Sequence, residues 1–271
     1  MPELPEVETI ARGLSPLLVG RRVTGLDVLD NRVFPGDVRT FRREFTGRLI
    51  TGVRRRAKVC LVEVEGGRHI AFHLKMTGRL LVPAPGMEPD RHLRVVIELD
   101  DVRALHFVDM RRFCLCLGFG PGGLSQWDFF RRLGPEPLDM STARFRRLMT
   151  GRSGRVKALL LDQEVIAGIG NIYADESLFL AGINPLTRAD ALTPKNLDAL
   201  LGALQDVLRR AIAAGGSTIR DYRTAEGVAG SFQWNFKVYG RAGLPCPACG
   251  GRLAVTKAGG RTSTFCPRCQ R

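Results

Sequence analysis

Residues 59–74, VCLVEVEGGRHIAFHL, read as strand, tight turn, strand, with Gly66-Gly67 at the turn. Residues 93–109, LRVVIELDDVRALHFVD, repeat that reading around Asp100-Asp101. From Arg22 to about Leu117 apolar side chains recur with a period near two, and no long helical pattern interrupts them. Several such hairpins build a β-sandwich or a barrel. Upstream, Val7, Ile10, Leu14 and Leu17 recur at helical spacing behind the acidic Glu3, Glu6 and Glu8. A helix over 3–18 follows, with Pro16 in its last turn or at its end.

The breaker cluster GFGPGG, 118–123, marks the domain boundary. Beyond it SQWDFFRRLG, STARFRRLMT, RVKALLLDQE, NIYADESLFLAG and TPKNLDALLGALQDVLRRAIAAGG carry apolar residues three and four apart. Thr193 and Pro194 suit the N-cap and first turn of the last of these helices. The segment from Thr218 to Asn235 reads as a loop. The expected fold is α+β in two domains. A helix and β-sandwich occupy 1–120, a linker region 121–135, a helical domain 136–235 and a cysteine-rich module 236–271.

The 271 residues carry a formal net charge of +14 and a pI near 10.3, a surplus that concerns partners rather than fold. No run of eighteen apolar residues exists, and MPELPEVETI is acidic where a signal peptide is basic and then apolar. Nucleic acid is therefore the expected polyanion, with no membrane partner and a cytoplasmic location. Coiled-coil heptads are absent, and a monomer is expected.

Seven cysteines without a secretion signal argue against a disulfide framework. Four of them form Cys246-x2-Cys249-x16-Cys266-x2-Cys269, the spacing of a four-cysteine zinc site. Gly259-Gly260 suits the tip of a β-hairpin between the two knuckles. With four thiolates no coordination position is left for water, so one Zn²⁺ with a structural role is expected. Lys257, Arg261, Arg268 and Arg271 around the hairpin favour a nucleic-acid-facing finger.

Removal of Met1, expected because Pro2 is small, leaves a secondary amine. An α-amino group has a pKa near 8, about two units below lysine, so part of it is neutral and nucleophilic at pH 7. Its attack on an aldehyde-type sugar carbon gives an iminium, an electron sink for eliminating phosphate. Glu3 stands next to it as an acid–base group. Alone, Met-Pro-Glu also describes many merely exposed termini.

PELPEVET at the start, RRAK around Lys58, HLKMTG around Met76, DMRRF around Arg111, GIGNIYADESLFLAGI around Asn171 and the terminal finger occur in that order. Together they resemble the bacterial formamidopyrimidine-DNA glycosylases, which excise oxidised purines such as 8-oxoguanine from duplex DNA and cleave the strand. The resemblance spans essentially the whole chain. It implies Pro2 as Schiff-base nucleophile, Glu3 as proton donor, Lys58 as the donor associated with β-elimination and Arg261 as the one for δ-elimination. It also implies that Met76, Arg111 and Phe113 fill the gap left by an extruded nucleotide. GIGNIYADESLFLAGI resembles the family's helix–two-turn–helix, with Gly168 and Gly170 bringing backbone N–H groups to phosphate and Asn171 as a phosphate contact. Lys157, His73, His92, Arg152 and Tyr239 match DNA-contact positions, and Glu176 a structural partner of the active site. Damaged duplex DNA is the implied partner, lying between the two domains.

The chain departs from the family's usual residues at Met110 and Cys114, where Pro and Gly are common, at Lys75, often Gly, and at Arg220, often Lys. These bear on the gap-filling loop and on a lesion-sensing loop after Tyr222. Two other readings keep the fold: the relative endonuclease VIII, which prefers oxidised pyrimidines and starts PEGPE, and a non-catalytic lesion-binding protein. An RNA-binding finger protein is disfavoured by an aromatic content of 7% and no stacking-platform motif.

Overall fold

Val7, Ile10, Leu14 and Leu18 are completely buried along one face of α1 (Leu4–Leu18), the helix with which the fold begins. A Pro in its first turn and an acidic pair, Glu3 and Glu6, that cap each other start it. Pro16 sits in its last turn. The computed structural model describes residues 1–84, 86–218 and 228–271. It divides into two units, Met1–Arg131 with Ala214–Ser231, and Arg132–Ala213 with Phe232–Arg271.

In the first unit the period-two segments become β1 (Val23–Val28), β2 (Ile50–Arg56), β3 (Val59–Val64), β4 (Arg68–His73), β5 (Gly78–Leu81), β6 (Leu93–Leu99), β7 (Ala104–Asp109) and β8 (Leu115–Phe119), with α2 (Val38–Phe45) after β1. They form two four-stranded antiparallel sheets, β1-β6-β7-β5 and β2-β3-β4-β8. One apolar core takes side chains from both sheets and from α1, among them Leu26, Val62, Phe72, Ile97 and Phe107. It is a sandwich with a helix packed against it. The three cysteines outside the finger belong here. Burial pushes the Cys60 thiol up to about 12 and also raises those of Cys114 and Cys116, so all three are inert packing residues.

Two segments have packing partners that the sequence does not announce. The region 121–135 is one. It holds a 3₁₀ turn (Gly123–Gln126) and a single-turn α3 (Asp128–Arg131), and Trp127, Phe129 and Phe130 cover Val59, Leu61 and Ala71 on the outer face of the second sheet. Residues 214–218 and 228–231 belong with the sandwich, not the helices. The cause is polar: the Ser217 N–H donates to Glu6 Oε1 at 2.8 Å, fastening this arm to the start of α1.

The second unit contains α4 (Thr142–Met149), α5 (Val156–Leu161), α6 (Asn171–Leu180) and α7 (Pro194–Ala213), packed around Phe145, Leu160, Leu178 and Leu204. Thr193 caps α7 as its sequence predicts, its Oγ1 accepting the Asn196 N–H at 3.2 Å. The unit ends in the hairpin of β9 (Ala254–Ala258) and β10 (Arg261–Phe265), turned at Gly259-Gly260, both with positive φ. Among the described residues no helix is long and apolar enough to cross a membrane.

Candidate active site and nucleic-acid interface

Pro2 and Glu3 are both buried at the head of α1, Glu3 at 3% exposure. The Glu6 carboxylate holds this end. Oε2 accepts the Glu3 N–H at 2.8 Å while Oε1 takes Ser217, so one side chain fixes the terminus and the arm together. Lys58 lies in the two-residue turn between β2 and β3, where Ala57 adopts a positive φ of 52°. Arg55 braces that turn, donating to the Ala57 carbonyl and, at 2.9 Å, to Glu8 Oε2 one turn into α1. Burial works against the Glu8 charge, but Arg55 and Arg12 hold its carboxyl below the usual range. The Lys58 turn therefore stands at the N-terminal end of α1, and Lys58 itself is only 6% exposed.

His73 pairs across the strands with Val59, next to Lys58. Burial, with Lys75 and Lys58 nearby, pushes its pKa down to about 3, so the imidazole is neutral at physiological pH. Its Nδ1 accepts the Lys75 N–H at 3.2 Å, which leaves the proton on Nε2.

The three expected gap-filling residues meet. Met76, Arg111 and Phe113 are all exposed, Arg111 Nη1 approaches the Met76 sulfur at 3.1 Å, and the guanidinium lies 5.0 Å from the Phe113 ring centre. What brings them together is Asp109, which sequence reasoning passed over. Fully buried at the end of β7, it accepts Thr77 Oγ1 at 2.5 Å and the N–H groups of Arg111 and Cys114 at 3.1 and 2.9 Å. Burial alone would raise its pKa; these bonds hold it below the ordinary carboxylate range. Its own carbonyl accepts Arg94 Nε at 2.9 Å, and Arg94 reaches the half-buried His92. A lone acid closing an apolar strand, ALHFVD, was the available signal.

Two departures from the family's usual residues gain a physical account here. Lys75 has φ +44°, in the left-handed region where glycine is unstrained. Cys114 directs its thiol to the Leu74 carbonyl at 2.8 Å and occupies the space beside Gly78, where an added Cβ would lie 2.7 Å from its sulfur. Nothing in the structure explains Met110, which is 49% exposed. Arg220 and the loop after Tyr222 lie outside the described residues.

In the second unit Asn171 opens α6, its Nδ2 donating to the Thr262 carbonyl of the hairpin at 3.0 Å. Lys157 is completely buried, 2.6 Å from Asp175 Oδ1 and 2.8 Å from Ser263 Oγ. Its ammonium joins α5, α6 and β10 instead of facing solvent. The Gly168 N–H is likewise taken, by Gln163 Oε1 at 3.0 Å, while φ +98° at Gly168 explains that glycine. Glu176 accepts the N–H groups of Lys237, Val238 and Tyr239, so its partners are the turn entering the finger. Tyr239 is half-buried against Phe236. Arg152 is exposed after α4, and Arg261 is exposed at the tip of the hairpin. Gly259 has to be a glycine, because a Cβ added there would lie only 2.9 Å from Ala158 Cα.

The Sγ atoms of Cys246, Cys249, Cys266 and Cys269 lie within 4.8 Å of one another. Two pairs stand at 3.9 and 3.5 Å, bracketing the edge of about 3.8 Å that a tetrahedron of 2.3 Å Zn–S bonds requires. The set fits one closed, structural zinc.

Three family models match the chain: the formamidopyrimidine-DNA glycosylase N-terminal domain over residues 1–116, the corresponding H2TH domain over 133–223, and a zinc finger found in FPG and IleRS over 243–271. A formamidopyrimidine-DNA glycosylase of Rhizorhabdus wittichii is 43% identical, with all of both chains covered. The crystal structure of the MutM (FPG) protein from Thermus thermophilus superposes with a TM-score of 0.89 at 41% identity, covering 99% of this chain and 98% of that one. A Lactococcus lactis FPG mutant in complex with Fapy-dG-containing DNA matches with a TM-score of 0.92 at 31% identity over the whole of both chains.

Proposed function

The chain belongs to the formamidopyrimidine-DNA glycosylase family, and from that premise we propose that it excises oxidised purines from duplex DNA and then cuts the strand. The observation that carries this reading is the burial of Pro2 and Glu3 at the head of α1, beside the braced Lys58 turn. The enzyme acts as a monomer in the cytoplasm, on DNA of the nucleoid.

The steps follow from the chemistry of these groups. The neutral Pro2 amine attacks C1′ of the extruded nucleotide. The C1′–N bond to the base breaks, and the base leaves with a proton. Glu3 protonates the ring oxygen as the sugar opens, giving an iminium between Pro2 and C1′. The iminium acidifies C2′–H, whose loss expels the 3′ phosphate, and a second elimination expels the 5′ phosphate. Lys58 and Arg261 stabilise the negative charge that develops on these leaving groups. Water hydrolyses the iminium and frees the amine. Met76, Arg111 and Phe113 occupy the gap, while Asn171, His73, His92, Arg152 and Tyr239 contact the DNA. Lys157 orders the hairpin that presents Arg261. Zinc bound by the four cysteines supplies fixed geometry to that hairpin and no reacting group.

Excision should be compared on duplexes carrying 8-oxoguanine and thymine glycol. Faster release of 8-oxoguanine is expected. The reverse preference would move the substrate class to oxidised pyrimidines.

A further inference from the structure

The C-terminal end of α6 meets α7 and the first zinc knuckle around a cavity of about 210 Å³. Phe179, Leu180, Val207 and Phe232 supply its apolar lining, and the exposed Arg210 and Lys237 stand on its rim. The volume falls below the roughly 300–1,000 Å³ of sites that enclose a drug-sized ligand, and suits one anchoring side chain. Leu180 is 52% exposed, and Trp234, beside the lining residue Asn235, is 84% exposed. Apolar groups left this open around a concavity mark a contact surface.

The charge around the cavity is one-sided. The carboxylate of Glu176, which also lines it, is already bonded to three backbone N–H groups. Arg210 meets Asp206 at 3.1 Å across one exposed helical turn, a pair worth little in water. Lys237 and Arg210 are thus open to an anionic partner whose apolar side chain fills the cavity. Location matters too. Asn171 is at the opposite end of α6, about 15 Å away along a ten-residue helix. Pro247 and Ala248 of the lining belong to the first knuckle, whereas Arg261 stands at the hairpin tip.

We propose that this cavity docks an acidic peptide segment of another protein, which inserts one aromatic or branched aliphatic side chain among Phe179, Leu180, Val207 and Phe232 and sets its carboxylates against Lys237 and Arg210. The inference that docking and DNA binding coexist rests on the reading of Asn171 and Arg261 as DNA-facing.

The test is fluorescence anisotropy of a fluorescein-labelled peptide, four aspartates followed by Phe-Leu, titrated with the full-length zinc-loaded protein. Saturating undamaged duplex is present throughout, to cover the basic DNA face. Saturable binding is expected, weakened at least tenfold by Leu180→Asp and by Lys237→Glu, with both variants nicking an 8-oxoguanine duplex at the unaltered rate. No saturable binding, equal binding by both variants, or equal binding of a peptide with lysines for the aspartates would overturn the proposal. Loss of nicking by the unaltered protein would instead count against the glycosylase reading, since the peptide titration does not depend on it.

Discussion

Arg111 Nη1 lies 3.1 Å from the Met76 sulfur, joining two loops separated in sequence by β5, β6 and β7. With Phe113 stacked on the same guanidinium, the three side chains form a single wedge. Met76→Ala and Phe113→Ala should each lower kcat/KM on an 8-oxoguanine duplex about tenfold, ~1.4 kcal/mol, and lower it less on a preformed abasic site, where extrusion costs least. Single-turnover nicking of both substrates measures this. Equal losses would show that the wedge positions the chemistry and not the extruded nucleotide.

Lys75 holds a backbone conformation that costs a side-chain-bearing residue roughly 1 kcal/mol. Lys75→Gly should therefore stabilise the sandwich unit by up to about 1 kcal/mol, partly offset by the greater chain entropy of glycine. Urea unfolding followed in that unit checks it. A clear destabilisation would mean that the lysine side chain contributes more than the strain removes.

His73 has a folded pKa near 3, depressed by burial and by the Lys75 and Lys58 charges. The unfolded chain binds this proton more readily, so the contribution to stability is complete above about pH 6.5 and is lost as pH falls toward 3. The slope contributed is at most about 1.4 kcal/mol per pH unit. Unfolding free energies of the protein and of His73→Gln, measured from pH 7 to 4, should converge in acid. Parallel curves would show that His73 titrates normally.

Thr262 and Ser263 on β10 accept from Asn171 and Lys157 and the Thr264 N–H donates to Asp175, so the finger and the two-turn helices depend on each other. Cys249→Ser or chelation of zinc should weaken DNA binding at least tenfold while the helical circular dichroism largely persists. The readout is a duplex titration at fixed salt, because phosphate contacts make the affinity salt-dependent. Unchanged affinity in metal-free protein would refute the structural role of the metal.

Local patterns carried much of this in the sequence. The two-residue period gave the sandwich strands, the three-and-four spacing of STARFRRLMT and TPKNLDALLG gave α4 and α7, and the cysteine spacing gave the finger. Long-range polar links were not legible. Glu6 reads as a helix-start acid, yet it reaches Ser217, 211 positions on, and so ties the residues after α7 to the first unit. Lys157 reads as a surface cation because nothing local announces Asp175 and Ser263 as its partners. Asp109 sits inside the quoted DMRRF, but its tie to Thr77 exists only once β5 and β7 pair. The helical spacing of SQWDFFRRLG does not show which sheet face Trp127 and Phe129 cover, because that depends on the pairing of β3 with β4.

The central claim is that Pro2, freed by loss of Met1, is the nucleophile. Borohydride reduction during turnover of an 8-oxoguanine duplex, followed by mass spectrometry of the cross-linked peptide, tests it directly. A covalent DNA adduct on the Pro2 nitrogen, largely abolished in Pro2→Gly, is the expected result. An adduct on a lysine, or trapping undiminished in Pro2→Gly, would contradict the account.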